Sequence, residues 1–207
     1  MPGHCGSIMP YSASSVFRSS PLPAPIRHRT LVLIRWMAIA GQSGAVIVAL
    51  ALGVQFNWSP VIGVIAAAAL FNLWLSASMR HQQRLEPRAG AQLTFDLVQL
   101  VALMALTGGL SNPFALLALA PVTIAATAMS RRETAMLGIL TVLLITAMGW
   151  FAMPLHTATG DVLAMSPLLR LGHWLALVIG VAFFAIYAHR VATELAATSA
   201  ALAATQM

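Results

Sequence analysis

The chain has 207 residues, of which 59% are hydrophobic and only 8% charged, and its mean hydropathy is +0.86. A soluble domain carries about 25% charged residues, so this balance excludes a soluble fold and points to a membrane protein. The net charge of +6 and the pI near 11.4 come from arginine alone, set in short clusters beside apolar runs with no continuous basic face. That arrangement excludes nucleic-acid binding and reports membrane orientation.

In chain order, residues 1–30 hold Ser-Ala-Ser-Ser and Ser-Ser-Pro-Leu-Pro-Ala-Pro and read as a disordered tail. The first apolar run begins too late and is too long for a cleavable signal. The lone cysteine, Cys5, excludes an internal disulfide framework. A membrane-crossing helix needs roughly 20 apolar residues. Runs that meet this cover 31–54, 60–79, 93–110, 114–129, 134–154 and 168–188. The third and fourth are short and predict a tight helical hairpin.

Residues 189–207 are alanine-rich, and Val191, Leu195 and Leu202 form a weak heptad seam. Span six is expected to continue as one rod able to pair with a second copy. Under this division nine of the eleven arginines fall on one side: Arg18, Arg27, Arg29, Arg80, Arg84, Arg88, Arg131, Arg132 and Arg190. The expected fold is therefore an all-α membrane protein, a six-transmembrane-helix bundle with a cytoplasmic helical linker. The positive-inside rule puts both termini in the cytoplasm. The arginine-only, alanine-rich composition suits a GC-rich bacterium, hence an inner membrane.

One stretch stands out: Gly108-Gly109-Leu110-Ser111-Asn112-Pro113-Phe114 between spans three and four. Taken alone, Gly-Gly and Asn-Pro make a turn, which any polytopic chain needs. Two further features raise interest. Pro121 in the next helix frees a carbonyl and permits a kink. Arg35-Trp36 and Gly41-Gln42 place polar groups in span one, where each costs a few kcal/mol unless partnered.

These segments, with Arg29-Thr30-Leu31 and Ala120-Pro121-Val122, resemble the RegB/PrrB/ActS redox-sensing histidine kinases. The resemblance runs from about residue 29 to residue 207. It implies a six-span sensor in which the heptapeptide is implicated in ubiquinone binding. Quinone redox state would control autophosphorylation of a cytoplasmic histidine and transfer to a response-regulator aspartate. It further implies a homodimer, and a phosphoacceptor helix, a redox-active cysteine and an ATP-binding domain beyond residue 207. ATP would enter only through that kinase part, so the present chain is expected to be inactive alone and to hold no catalytic residue.

A quinone offers two carbonyl acceptors and a quinol two hydroxyl donors. The Asn112 amide can donate or accept, Gly108 and Gly109 lack a β-carbon and let backbone N–H groups approach a ring, and Phe114 offers a stacking face. Trp150 in span five and Arg170, His173 and Trp174 in span six fall at a similar depth. One reading makes the tryptophans interfacial belt residues and lets Arg170 snorkel. The other makes His173 the partner of the second quinone oxygen, beside Trp150.

Asp96, twelve residues before Gly108, sits roughly 18 Å away along a helix and belongs to a different level. It is expected to pair with Arg35, with Gln99 on the same face; the alternative is that each snorkels to water. His81 and His189 read as solvated ends, and no histidine spacing suggests haem or metal. A small transporter or permease subunit is the rival function, hinted at by Gln42, Asn72 and Pro121. A membrane enzyme of lipid or quinone metabolism would need an Asp- or His-rich cluster.

Overall fold

The computed structural model describes residues 28–78 and 89–205. The expected tail over residues 1–27, with Cys5, lies outside the described residues, as do His81, Arg80, Arg84 and Arg88. The elements are α1 (His28–Ala51), α2 (Trp58–Ser78), α3 (Ala89–Leu106), a 3-10 turn (Gly109–Ser111), a 3-10 stretch (Pro113–Ala118) leading into α4 (Leu119–Ala128), α5 (Arg131–Phe151), a hairpin of β1 (Leu155–His156) and β2 (Val162–Leu163), and α6 (Pro167–Thr205). Helix α1 starts at His28, inside the stretch read as tail, and α3 starts at Ala89 and ends at Leu106, ahead of the expected 93–110.

Five of these helices are long and apolar enough to cross a membrane, and the remaining apolar helix, Pro113–Ala128, is shorter. The bundle is all-helical, as expected. The short member gains reach from its mixed winding. Six 3-10 residues rise about 2.0 Å each and ten α residues about 1.5 Å each, giving about 27 Å against a hydrocarbon core of about 30 Å. Pro121 is not a mid-helix kink. It occupies the first turn of α4, where the missing N–H has no intrahelical acceptor to lose.

Helix α4 is the centre of the bundle and packs on both α5 and α6. Its buried residues are Pro121, Val122, Ala125 and Ala126. Lipid tails are as apolar as leucine, so close backbone approach and polar pairs hold membrane helices together more than hydrophobic burial does. The small residues of α4 permit that approach. The main core joins Leu97, Leu100 and Met104 of α3, Leu137, Ile145 and Met148 of α5, and Leu177 and Val181 of α6 around them. Helices α1 and α2 form an outer pair that meets the rest chiefly through α3.

Several hydroxyls within the helices bond the carbonyl of the preceding turn, although Thr134 Oγ1 of α5 is buried without a partner among the described residues. Thr141 Oγ1 donates to the Leu137 carbonyl at 2.8 Å and Thr146 Oγ1 to the Val142 carbonyl at 2.7 Å, as a medium without water requires.

Helix α5 opens on a Ser-Arg-Arg-Glu capping box. The Ser130 hydroxyl accepts the Glu133 N–H, and the Glu133 carboxylate accepts the Ser130 N–H at 3.0 Å and hydroxyl at 2.7 Å. Ser130→Ala is expected to cost about 1 kcal/mol, readable as a lowered midpoint of thermal unfolding in detergent.

Helix α6 has 39 residues and is about 58 Å long, roughly twice the hydrocarbon core. Leu195 and Leu202 on its last part are exposed. Where it leaves the bundle, His189 is not a solvated end. Its Nε2 accepts from Arg131 Nε at 2.9 Å and its Nδ1 lies 3.2 Å from the Ala126 carbonyl. The pairing assigns the proton to Nδ1 and ties α6 to the α4–α5 connection.

Candidate functional site

The heptapeptide is a rigid corner fixed by backbone geometry. After α3 ends, Gly108 adopts φ +100° and Gly109 φ +58°, conformations that a β-carbon disfavours. The same positions are also tight. A β-carbon on Gly108 would lie 2.8 Å from Leu155 Cδ1, and one on Gly109 would overlap the Ala152 side chain. The room left by the missing β-carbons is thus filled by Ala152 and Leu155. The glycines build the corner, and Ala152 and Leu155 take the space that was expected to let a ring approach.

Leu110 is buried, with its side chain against Gly149 of α5. Ser111 Oγ accepts the Met165 N–H at 3.3 Å. Asn112 is almost fully engaged. Its amide N–H groups donate to the Thr107 carbonyl at 3.0 Å and the Thr107 hydroxyl at 2.8 Å, while Oδ1 accepts the Phe114 N–H at 2.8 Å. It therefore staples the corner to the end of α3 and caps the 3-10 stretch that follows. Three side-chain valences of these two residues remain: the Ser111 hydroxyl proton, the second lone pair of Ser111 Oγ and the second lone pair of Asn112 Oδ1. Pro113 and Phe114 face outward, Phe114 with 49% of its surface exposed.

Trp150 lies on α5 beside the Gly149 that packs on Leu110, but its ring is 83% exposed and turned away from the bundle. His173 is half-buried on α6, and its Nδ1 is buried without a hydrogen-bond partner among the described residues. No described hydrogen bond joins His173 or Trp150 to the corner. Arg170 is exposed. Trp174 departs from the belt reading, since its indole N–H donates to Thr146 Oγ1 of α5 at 3.0 Å.

A second polar site lies deeper on α3. Arg35 of α1 pairs with Asp96: Nη2 donates to Oδ2 at 2.7 Å, Nε lies 2.6 Å from Oδ1 at ion-pair distance, and Nη1 is buried without a hydrogen-bond partner among the described residues. The Arg35 residue is only 6% exposed, and its guanidinium carbon lies 5.2 Å from the centre of the Phe71 ring. The pairing is the one expected from the cost of each charge in lipid. Beside it, Gln42 and Gln99 exchange amide bonds, Gln99 Nε2 to Gln42 Oε1 at 3.0 Å. This second rung was not anticipated. Its signal was available, because Gln42 follows Arg35 by two helical turns and Gln99 follows Asp96 by three residues. Asn72 Nδ2 donates to the Val32 carbonyl at 3.4 Å. Of the hints of a transport path, Gln42 and Pro121 have structural partners or places, while Asn72 Oδ1 is buried without a hydrogen-bond partner among the described residues.

The third feature is a small sheet at the corner end of the bundle. Strand β1 pairs antiparallel with β2, and Gln55 of the α1–α2 turn pairs with His156 on the other edge. An open depression of about 410 Å³ lies beside it, lined by Gln55, Phe56, Trp58 and Ala158 among others, and includes no residue of the heptapeptide.

Compared with known proteins, residues 45–202 match the family model described as PilS-like transmembrane domain. The chain is 44% identical over 183 residues to the sensor histidine kinase RegB of Cereibacter sphaeroides, covering 87% of this chain and 40% of that protein. A second RegB sequence, from a named strain of the same species, is 44% identical over 184 residues, with 88% and 40% covered. The chain thus spans about 40% of the length of these curated relatives. No solved structure matches. The chain belongs to the family of PilS-like transmembrane domains and corresponds to the inner-membrane sensor domain of the RegB sensor histidine kinases.

Proposed function

We propose that this module senses redox state by binding ubiquinone, or a related quinone, against the outer face of the heptapeptide corner. The observation that carries the reading is the division of labour within the corner. Gly108, Gly109, Leu110 and Asn112 are locked by packing and hydrogen bonds, while Phe114 offers an exposed ring. The Ser111 hydroxyl is a donor suited to a quinone carbonyl. The open lone pair of Asn112 Oδ1 is an acceptor suited to a quinol hydroxyl. The two redox forms then meet different partners, and a sensor needs only unequal affinity for them. His173 and Trp150 are second-rank members: the buried, unpartnered Nδ1 of His173 supports the former.

In this reading α6 hands the signal to a histidine-kinase part, in the same polypeptide or supplied separately, that uses ATP and passes phosphate to a response regulator. The arginine distribution supports a cytoplasmic position for both termini, and the exposed Leu195 and Leu202 suit pairing with a second copy. The test is equilibrium titration of oxidised ubiquinone into the protein in lipid nanodiscs. Phe114→Ala is expected to weaken binding about tenfold, as loss of one stacking face warrants, and Ser111→Ala by a similar factor. Leu143→Ala, on an exposed face of α5, is expected to leave it unchanged. Equal binding by all four proteins would refute the site.

A further inference from the structure

We infer that residues 152–166, between α5 and α6, are the coupling element of this sensor, linking the corner to the α1–α2 turn and to the root of α6. The inference rests on the ligand reading above only for its natural trigger.

On one side this segment clasps the corner. Ala152 fills the space at Gly109, Leu155 fills the space at Gly108, the Met153 N–H bonds the Ala105 carbonyl at 2.8 Å, and the Met165 N–H bonds Ser111 Oγ at 3.3 Å. On the other side it holds the first helical hairpin. The Gln55 N–H bonds the His156 carbonyl at 2.8 Å, the His156 N–H bonds the Gln55 carbonyl at 3.3 Å, and Ala158 lies against Gly53. The segment then runs directly into α6, whose first turn starts on Ser166 through the Arg170 N–H.

One short strand is therefore shared between two moving parts, and its tip from Ala158 to Leu163 is exposed. Elements with exposed backbone bonds and little apolar burial open at low cost and move as units. A shift of the corner that displaces Leu155 or releases Met165 must move β1. Because β1 is paired to Gln55 by backbone bonds, the α1–α2 turn must follow or the pairing must break. Helix α1 returns the constraint to α3 through Arg35–Asp96 and Gln42–Gln99, so the path closes on the helix that carries the corner.

Hydrogen exchange of the whole chain in nanodiscs tests this with two triggers, oxidised ubiquinone and the ligand-free substitution Asn112→Ala. Each is expected to change exchange at 107–114, at 153–163 and at 52–58 by at least about threefold. Gln55→Pro with His156→Pro removes both cross-strand N–H donors and is expected to abolish the response at 52–58 alone. Gln55→Ala with His156→Ala keeps those donors and is expected to transmit as the wild type does. In a Cys5→Ser background, Gln55→Cys with His156→Cys gives a backbone-bonded pair whose Cα separation of about 5.5 Å suits a disulfide. Oxidising it is expected to abolish the separate opening of the two strands while keeping the response coupled.

A response at 52–58 that survives the double proline, in protein with unchanged helicity, overturns the coupling role. So does a response to Asn112→Ala confined to the corner. If ubiquinone changes nothing while Asn112→Ala reaches 52–58 through β1, the ligand reading fails and the coupling element stands.

Discussion

Asp96→Ala is expected to lower the stability of the bundle by about 3–5 kcal/mol, a loss out of proportion to one small side chain. The reason is what remains. Arg35 sits on α1 at 6% exposure with two of its nitrogens on Asp96, and removing the carboxylate leaves a buried guanidinium unpaired in a bilayer. An exposed ion pair of the same geometry would be worth at most about 1 kcal/mol, so the size of the effect decides between a buried clamp and two snorkelling side chains. Arg35→Ala should cost a similar amount, since Asp96 is then the stranded charge. Arg35→Asp with Asp96→Arg should recover most of what either reversal loses. Unfolding in mixed micelles of increasing denaturing detergent reads the wild type, the two alanine variants, the two single reversals and the double reversal. Single variants within about 0.5 kcal/mol of wild type, typical of plain surface positions, would show that the charges do not depend on each other.

Gly109→Ala is the second large effect expected, and its two causes are separable. A residue with a β-carbon at φ +58° costs about 1–2 kcal/mol. Its β-carbon would also overlap Ala152 at the end of α5, and overpacking of that kind costs about 1–3 kcal/mol. Gly108→Ala should be milder, because its neighbour is the flexible tip of Leu155 at 2.8 Å. Adding Ala152→Gly to Gly109→Ala should relieve the overlap and leave the backbone cost. A double-mutant cycle on thermal unfolding midpoints measures the difference. Full additivity of the two substitutions would mean that Ala152 and Gly109 do not touch.

Much of this was legible in the sequence. Apolar runs of spanning length define the bundle, because a helix must be apolar over the thickness of the lipid it crosses. Arg35 and Asp96 announced each other through the price of a lone charge in hydrocarbon. The corner was visible as Gly-Gly and Asn-Pro, but its inner detail was not. That Asn112 would spend its amide on Thr107 and Phe114, and that Ala152 and Leu155 would occupy the glycine spaces, follow from contacts between distant segments.

The pairing of Gln55 with His156 is of the same kind, since a backbone bridge between two turns leaves no periodic mark in either. The hairpin itself did leave one: Thr157 to Asp161 with Gly160 is a turn sequence flanked by Leu155-His156 and Val162-Leu163. The 3-10 stretch after Pro113 also escaped the reading, and it is what lets a helix of α-helical pattern but reduced length approach the full membrane thickness.

Whether the corner reads redox state is tested most directly by comparing the dissociation constants of oxidised and reduced ubiquinone for this chain in nanodiscs under controlled potential. The account predicts saturable binding with affinities that differ by about tenfold or more, about 1.4 kcal/mol of discrimination, and a difference that shrinks in Ser111→Ala. Equal affinity for the two forms, or no saturable binding of either, would contradict it.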